Sequence, residues 1–377
     1  MRILQILSSR SPGGGSQEHT RFLSRGLKER GHEVTVVTRP GRIVDWFKRE
    51  GLEVIPLELR DRKKAVRILT RLIEERRFEV VHTHNRDGDI PGIIAGRRMR
   101  IPLVITTIHA FLNRDKEGNP KMNFPLWKYN RLLRRGPHFL VALSEALRKQ
   151  MVEEVGIDEN RIRVILNALD TTRLKPRRSF TEVIREVKGE GRIIVGGVGS
   201  LIRLKGYQYL IRSARKVVRL FPNVLFLILG DGNYREELEK MVEKMGLRNN
   251  FLFTGKVEHP PDYLQVMDIF VHPSLSEGMP RAVMEAMGMG LPVVVSEVGG
   301  VPELVREGKE GILVPPGNPS ALSRAMVYLL RNPSIAKRMG ERGKKRIYLK
   351  FRAERMVEDT ESFYQEALSQ TPYPLHD

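Results

Sequence analysis

Apolar residues recur along this chain in short runs separated by longer, mixed stretches. In the first half the runs fall at Ile3–Leu7, Glu33–Thr38, Glu53–Leu57, Val80–Thr83, Leu103–Thr107 and Phe139–Ser144. They are rich in β-branched residues and read as strands. Gln17–Arg30, ending at Gly31, and Asp61–Arg77, Ile90–Arg98 and Leu126–Arg135 read as helices between them. Repetition of strand, helix and strand predicts a parallel sheet covered on both faces. The pattern then weakens. Thr171–Gly191 holds Pro176, four Arg and two Lys with no clear strand, and reads as an inter-domain connection with a helix over Thr181–Lys188.

The pattern restarts at Ile193–Val198. Further strands are predicted at Val224–Leu229, Phe251–Thr254, Ile269–His272, Pro292–Ser296 and Gly311–Val314, and helices at Tyr207–Leu220, Tyr234–Met245 and Pro261–Val266. Ser320–Ala367 is helical and polar. The expected architecture is α/β: two Rossmann-like domains with parallel sheets facing across a cleft. Residues 1–175 form the first, 176–190 the linker and 191–350 the second. A final helix in 351–377 is expected to return to the first.

Length and composition agree with this division. At 377 residues the chain is long for one core. With 41% hydrophobic and 29% charged residues it reads as a soluble globular protein. No uninterrupted apolar run reaches the length of a membrane span, and Met1–Leu7 reads as a first strand, not a signal peptide. The absence of Cys excludes disulfides and thiolate metal sites and fits a cytoplasmic location. Nine His and no acidic metal cluster point to no metal site. The abundance of Lys, Arg and Glu hints at a thermophile.

Charge is uneven. Residues 1–190 carry 39 Lys and Arg against 24 Asp and Glu, a balance of +15. The remainder carries 26 against 21, a balance of +5. A basic first half suggests an anionic partner such as nucleic acid, anionic lipid or a phosphorylated acceptor. It also describes an ordinary solvated surface.

The densest chemistry lies in SEGMPRAVMEAMGMGLPVVVSE, residues 276–297. Glu277 and Glu285 flank the turn Gly278-Met279-Pro280, which looks built to start a helix with Pro280 in its first position. The amides of Arg281 to Val283 would then face whatever lies before the helix. Glu285 would sit about 7.5 Å along the axis. Two acids flanking a ring of amide donors suit a ligand with hydroxyls at both ends and negative charge between, such as a nucleotide-sugar. A surface turn before a Met/Ala core helix reads equally well from these residues alone.

Ligands of open parallel sheets bind at the carboxyl ends of strands, and the other candidates pass that test. Ser9–Ser16, with Gly13, Gly14 and Gly15, follows the first strand and leads into a helix, where amides can approach a phosphate or sugar. Its spacing is not that of a dinucleotide site, which disfavours a nicotinamide or flavin cofactor. Arg203 and Lys205, beside Gly206, could neutralise a leaving diphosphate without a metal. His109 ends a buried strand and could polarise a sugar hydroxyl, or cap the strand structurally. His84 reads as structural. Met122–Arg135 mixes Phe124, Trp127 and leucines with Lys and Arg, the pattern of an interfacial helix or of a domain helix with its charges outward.

Over nearly its whole length the chain resembles the retaining glycosyltransferases of family 4, which have the two-domain GT-B fold. PGGGSQEHTRFLSRGLKERGHEVTVVT resembles the family's first loop and helix, and ITTIHAF its histidine-bearing strand end. VALSEAL and VILNALDTTRLKP resemble the stretch before the linker. VGSLIRLKG, LGDGNYREELE, FTGKV and SEGMPRAVMEAMGMGLPVVVSEVGGVPELV resemble the second domain in order and spacing. The resemblance implies that Glu277 contacts donor-sugar hydroxyls, Glu285 the ribose and Lys205 the diphosphate. It implies that the amides near Gly278 and Met279 face the sugar or phosphate. His109 would sit at the sugar or acceptor, Gly14 and Gly15 near phosphates or acceptor, and Asn167 at the hinge. Many members carry Arg where this chain has Ser200, and Arg203 is the candidate to supply that charge.

The expected function is therefore transfer of a hexose-type sugar, with retention and without a metal. The donor would be a nucleotide-diphospho-sugar, UDP- or GDP-linked, with no other cofactor. The acceptor would be a hydroxyl of a glycan or lipid-linked acceptor in cell-envelope polysaccharide, lipopolysaccharide or glycolipid synthesis. The enzyme would be cytoplasmic, with peripheral attachment to an anionic inner membrane face through its basic half. A sugar phosphorylase or nucleotide-sugar epimerase on the same fold is the alternative. A nucleic-acid-binding protein is disfavoured, since no aromatic-rich sheet motif, zinc pattern or basic helix arm accompanies the charge.

Overall fold

The structure is a computed structural model that describes residues 1–109 and 124–370. The last two residues of ITTIHAF and Met122 lie outside the described residues, as does the end of the chain after Gln370. Two compact units are present. One holds residues 1–109, 124–168 and 353–370 and the other holds Leu169–Arg352.

The first unit runs β1 (Arg2–Leu7), α1 (Gly15–Glu29), β2 (Glu33–Thr38), α2 (Arg42–Lys48), β3 (Glu53–Pro56), α3 (Arg62–Arg76), β4 (Val80–His84), α4 (Arg86–Arg98), β5 (Leu103–Ile108), α5 (Phe124–Arg135), β6 (Phe139–Ala142), α6 (Glu145–Glu153) and β7 (Ile162–Val164). The strands form one seven-stranded sheet in the order β3-β2-β1-β4-β5-β6-β7, and all their pairings are parallel. β1, β4 and β5 are buried almost throughout, because helices cover both faces. Leu69 and Ile73 of α3 and Ile93 of α4 pack on one face. Phe22, Leu23 and Leu27 of α1 and Phe47 of α2 pack on the other. Each such side chain contributes about 1.5–3 kcal/mol on burial. Asp61 accepts from the Lys64 amide and Ser144 from the Leu147 amide, capping α3 and α6.

The second unit runs α7 (Phe180–Glu186), β8 (Ile193–Val198), α8 (Tyr207–Leu220), β9 (Val224–Leu229), α9 (Arg235–Lys244), β10 (Phe251–Gly255), α10 (Pro260–Leu264), β11 (Ile269–His272), α11 (Arg281–Gly288), β12 (Val293–Ser296), α12 (Val301–Leu304), β13 (Gly311–Val314), α13 (Pro319–Arg331) and α14 (Pro333–Lys350). Its six-stranded parallel sheet has the order β10-β9-β8-β11-β12-β13. Leu210, Ile211 and Val217 of α8 and Leu322, Met326 and Leu329 of α13 share one core with β8 and β9. The last helix, α15 (Ala353–Ser369), is grouped with the first unit and packs beside α1 through Met356, Val357, Phe363 and Tyr364.

Several local features differ from the sequence reading. α1 begins at Gly15, so Gly15 and Ser16 belong to the helix and Gly14 is its N-cap. Pro280 is the N-cap residue of α11 and the helix starts one residue later. Its ψ of 116° is extended, not helical. α2, α6 and β7 carried no distinct signal. β7 is three half-buried residues, one of them charged, too short for a periodicity. The segment after Lys175 is not loose. Asp262 accepts from the Arg177 and Arg178 amides, and Ser179 and Glu182 form a capping box on α7. The polar helical stretch near the end is three helices, with Pro333 starting the second in the position where its missing N–H costs nothing.

Both sheets reverse direction at their first strand. β1 lies between β2 and β4, and β8 between β9 and β11. Successive connections leave to opposite sides at such a point, which opens a crevice at the carboxyl ends. The loops after β1, β4, β8 and β11 are therefore where ligand chemistry is expected.

Candidate active site

In the second unit, the ends of β8 and β11 bring two polar side chains to one carboxylate. Lys205 lies in a 3-10 turn, Arg203–Lys205, just after β8. Its Nζ donates to Glu277 Oε1 at 2.6 Å. His272, the last residue of β11, donates from Nε2 to the same oxygen at 2.6 Å. Burial opposes ionisation of Glu277, but Lys205 and His272 outweigh it and hold the carboxyl far below its ordinary range. Tyr207, which starts α8, is buried nearby, and burial together with the Glu277 charge pushes its phenol up. The Tyr207 hydroxyl and His272 Nδ1 are buried with no hydrogen-bond partner.

This arrangement depends on Gly206. Its φ is +71°, and a Cβ there would lie 1.9 Å from the Pro273 carbonyl oxygen. Ser274 donates to the Leu204 carbonyl and the Leu275 amide to the same oxygen, so the turn after β8 is bonded directly to the turn after β11. Glu277 follows. The Gly278 carbonyl accepts from the Gly300 amide at 2.8 Å, fixing the turn in front of α11. The amides of Ala282 and Val283, in the first turn of α11, point back toward this turn. Glu285 is buried and accepts from Arg281, one turn back, at 2.7 Å. Helical side chains lean toward the N-terminus, so its carboxylate sits nearer the helix mouth than its Cα does. Met279 is buried. Arg203 is exposed, and its guanidinium lies 4.7 Å from the Tyr234 ring centre. The structure thus brings Lys205 to Glu277 and takes Arg203 to an aromatic face. Ser200 is exposed.

The first unit holds a different kind of cluster at its own switch point. His84 ends β4 and His109 follows β5. His84 Nδ1 and His109 Nε2 are 3.2 Å apart. His19, in the second turn of α1, lies with its ring centre 4.9 Å from that of His109. One ring nitrogen from each of the three comes within 4.8 Å of the others. Their other nitrogens have defined partners. His84 Nε2 donates to Gln5 Oε1 at 2.7 Å, and His19 Nδ1 donates to Asn167 Oδ1 at 3.4 Å. His82 is bonded to Thr107 at 2.7 Å and to the Tyr364 hydroxyl, which also accepts from Gln5. Burial drives all four imidazoles toward the neutral form, His19 to about 4 and His82, His84 and His109 well below the ordinary value.

Asn167 therefore belongs with the imidazoles, and His84 is a member of the cluster, not an isolated strand end. Gly14 and Gly15 lie at the N-terminus of α1, five and four residues before His19. A Cβ on Gly15 would meet nothing within 4 Å, whereas one on Gly14 would strike the folded-back Gln17 side chain. His19, Gln5, His82 and Tyr364 in this unit, and His272 and Tyr207 in the other, were not singled out in the sequence. His82 and His84 sit two apart on one strand and so share a face, which was the one legible sign. His19, Gln5 and Tyr364 meet only through the fold.

Two outcomes follow from this geometry. Gly206→Ala forces a side chain into a left-handed position against backbone, and should cost about 1–3 kcal/mol. Urea unfolding measures it, and a neutral result would mean the turn is not held as described. The unfolded chain binds a proton at position 19 between pH 6.5 and about 4 that the folded chain excludes. Stability therefore rises with pH across that window and is lost on acidification, by about 1.4 kcal/mol per pH unit at most for this group. Melting temperatures from pH 7 to 5 should fall less steeply for His19→Gln than for the native protein.

Comparison with known proteins agrees with the geometry. Residues 13–173 match the family described as Glycosyltransferase Family 4, and residues 180–346 match Glycosyl transferases group 1. A UDP-Gal:alpha-D-GlcNAc-diphosphoundecaprenol alpha-1,3-galactosyltransferase of Escherichia coli is 29% identical over 67% of this chain and 66% of its own length. An N-acetyl-alpha-D-glucosaminyl L-malate synthase of Bacillus anthracis is 25% identical over 94% of each chain. Among solved structures, Anabaena HepE in complex with UDP-glucose superposes with a TM-score of 0.84 at 20% identity, over 97% of this chain and 100% of that one. Two Rossmann-like units and successive family matches along most of the sequence lead to one assignment: the chain belongs to glycosyltransferase family 4 and has the GT-B fold.

Proposed function

We propose that this glycosyltransferase moves a hexose-type sugar from a nucleotide-diphospho-sugar to a hydroxyl of a glycan or lipid-linked acceptor, with retention at the anomeric carbon. The observation that carries this reading is the ionised Glu277 fixed by Lys205 and His272 in front of the α11 amides. Both of those bonds use Oε1, so Oε2 is placed to accept from hydroxyls of the donor sugar. Glu285, a turn into α11, takes the ribose hydroxyls, exchanging its bond to Arg281 for them. Transfer separates charge as the sugar becomes cationic and the diphosphate leaves. Lys205 keeps two further N–H donors for that diphosphate, and Gly278, Met279 and the first α11 amides add fixed dipoles. Preorganised donors of this kind stabilise developing negative charge without a divalent metal.

In the first unit, His109 is assigned to a hydroxyl of the sugar or acceptor, as a neutral imidazole able to donate or accept. Gly14 and Gly15 allow a close approach of substrate to the α1 amides. The Escherichia coli relative, named for a UDP-Gal donor and a diphosphoundecaprenol-linked acceptor, and the UDP-glucose bound by HepE support a UDP-linked donor and a lipid-linked glycan acceptor. Synthesis of cell-envelope polysaccharide or glycolipid is the setting this favours. A second reading concerns location. In α5, Tyr129 and Leu133 are buried, while Trp127 is 51% exposed with Arg131 beside its ring. Among the described residues no helix is long and apolar enough to cross a membrane. An exposed Trp flanked by cations on a basic unit suits peripheral attachment to anionic lipid.

Glu285→Ala should weaken binding of UDP-sugars about 10- to 100-fold, the loss of hydrogen bonds to a charged group. Lys205→Ala should lower turnover about 100- to 1,000-fold. Calorimetry and product analysis with a labelled donor measure both. Release of an isomerised nucleotide-sugar, or a requirement for inorganic phosphate, would replace this reading with an epimerase or a phosphorylase. In co-sedimentation, anionic vesicles should retain the native protein more than neutral ones, and Trp127→Ala should reduce that preference. Equal partition into both vesicle types would remove the membrane reading.

A further inference from the structure

Of the imidazoles in the first unit the proposed transfer calls only on His109, yet three others gather around it. We propose that His19, His84 and His109 form a binding site for one borderline transition-metal ion, with Zn²⁺ the best match. The spacing fits. Imidazole nitrogens about 2.0–2.1 Å from a tetrahedral Zn²⁺ lie roughly 3.3 Å from one another. His84 Nδ1 and His109 Nε2 are already 3.2 Å apart, and one nitrogen of each of the three rings lies within 4.8 Å of the others.

The surroundings carry the argument further than distance does. Metal-binding histidines commonly donate their second ring nitrogen to a carbonyl or carboxylate, which fixes the tautomer and aims the lone pair. His84 donates from Nε2 to Gln5 Oε1, leaving the Nδ1 lone pair toward His109. His19 donates from Nδ1 to Asn167 Oδ1, leaving the Nε2 lone pair as its ligand atom. Gln5 is itself held by the Tyr364 hydroxyl. Two fixed lone pairs therefore meet a single N–H, that of His109, and a cation satisfies all three nitrogens where one proton cannot. His109 ligates through Nε2 once its proton sits on Nδ1, so no net charge change is required of the ring. His19 and His84 are buried and His109 is partly exposed. The fourth position of the ion thus opens on the His109 side, to water or to an exogenous ligand. The donor set, three neutral nitrogens with no thiolate or carboxylate, selects Zn²⁺, Co²⁺, Ni²⁺ or Cu²⁺ over Mg²⁺ or Ca²⁺.

Occupancy has a functional consequence, which rests on the assignment of His109 to the sugar or acceptor. An ion on His109 withdraws its nitrogen from that hydroxyl, so the site inhibits transfer and does not assist it.

The test uses the full-length, tag-free protein after treatment with chelator. Co²⁺ should bind at one equivalent per chain with the intense visible absorption of a tetrahedral site, and Zn²⁺ should displace it. Calorimetry should give a Zn²⁺ dissociation constant in the micromolar range or tighter, while Mg²⁺ gives no heat. His109→Gln and His19→Gln should each abolish the absorption. Asn167→Ala, which leaves all three ligands in place, should weaken Zn²⁺ about 10- to 100-fold. That outer variant keeps the proposal open to refutation if a ligand variant fails to fold. Absence of Co²⁺ absorption and Zn²⁺ heat at millimolar metal would overturn the site, as would unchanged affinity in the folded His19→Gln and Asn167→Ala proteins. Binding as described with undiminished sugar transfer would uphold the metal site and remove His109 from the transfer reaction instead.

Discussion

One carboxylate organises the second unit. Glu277 is buried, and a buried carboxyl on its own would take up a proton. It stays ionised because Lys205, in the turn after β8, and His272, at the end of β11, reach the same oxygen. That demands that the ends of β8 and β11 be neighbours, which the crossover at β8 provides. It also demands that the chain after β8 turn without a side chain at residue 206, where a Cβ would otherwise collide with the Pro273 carbonyl. Strand order, a left-handed glycine and one ion pair are thus parts of a single constraint. Removing any of them leaves a buried charge without its partners.

The first unit solves the same topological problem with opposite electrostatics. Its crossover at β1 brings the ends of β4 and β5 to the start of α1, as β8 does for Lys205 and Glu277. What it collects there is four imidazoles, two amides and a phenol, with no ionised group among them. Burial keeps the rings neutral, and neutral rings can coordinate each other through a chain of hydrogen bonds running from Tyr364 through Gln5 to His84 and His109. The last helix takes part through Tyr364. The C-terminal segment is therefore tied to the chemistry of a unit whose other residues end at Ala168.

Neutral and ionised pockets suit different tasks. A fixed, partly neutralised carboxylate can accept hydroxyls and hold a cation in place beside it. Neutral imidazoles can share protons with a hydroxyl or offer lone pairs to a metal. A single fold supplies both because each parallel sheet opens a crevice where its winding reverses, and the residues set on the adjoining loops decide what the crevice binds.

The sequence alone determined the succession of buried strands, since a run such as Val224–Leu229 is apolar on both faces and suits a parallel sheet covered by helices on both sides. It determined the Glu277–Glu285 spacing, because eight positions across a turn and a helix start are a local matter. It did not reveal β7, whose three residues owe their strand to the neighbour β6, nor that Pro280 caps α11 instead of entering it. The remainder was decided by tertiary structure. Nothing near Lys205 in the chain announces His272, and Arg203, two residues away, is as good a cation on paper. The turn at Gly206 sends one to the carboxylate and the other to Tyr234. His19, His84, His109, Asn167 and Tyr364 span almost the whole chain, and their meeting is a property of sheet order and helix packing. Local propensity acts over a few residues, whereas a site is made by contacts between segments far apart in sequence, and only the folded core fixes those.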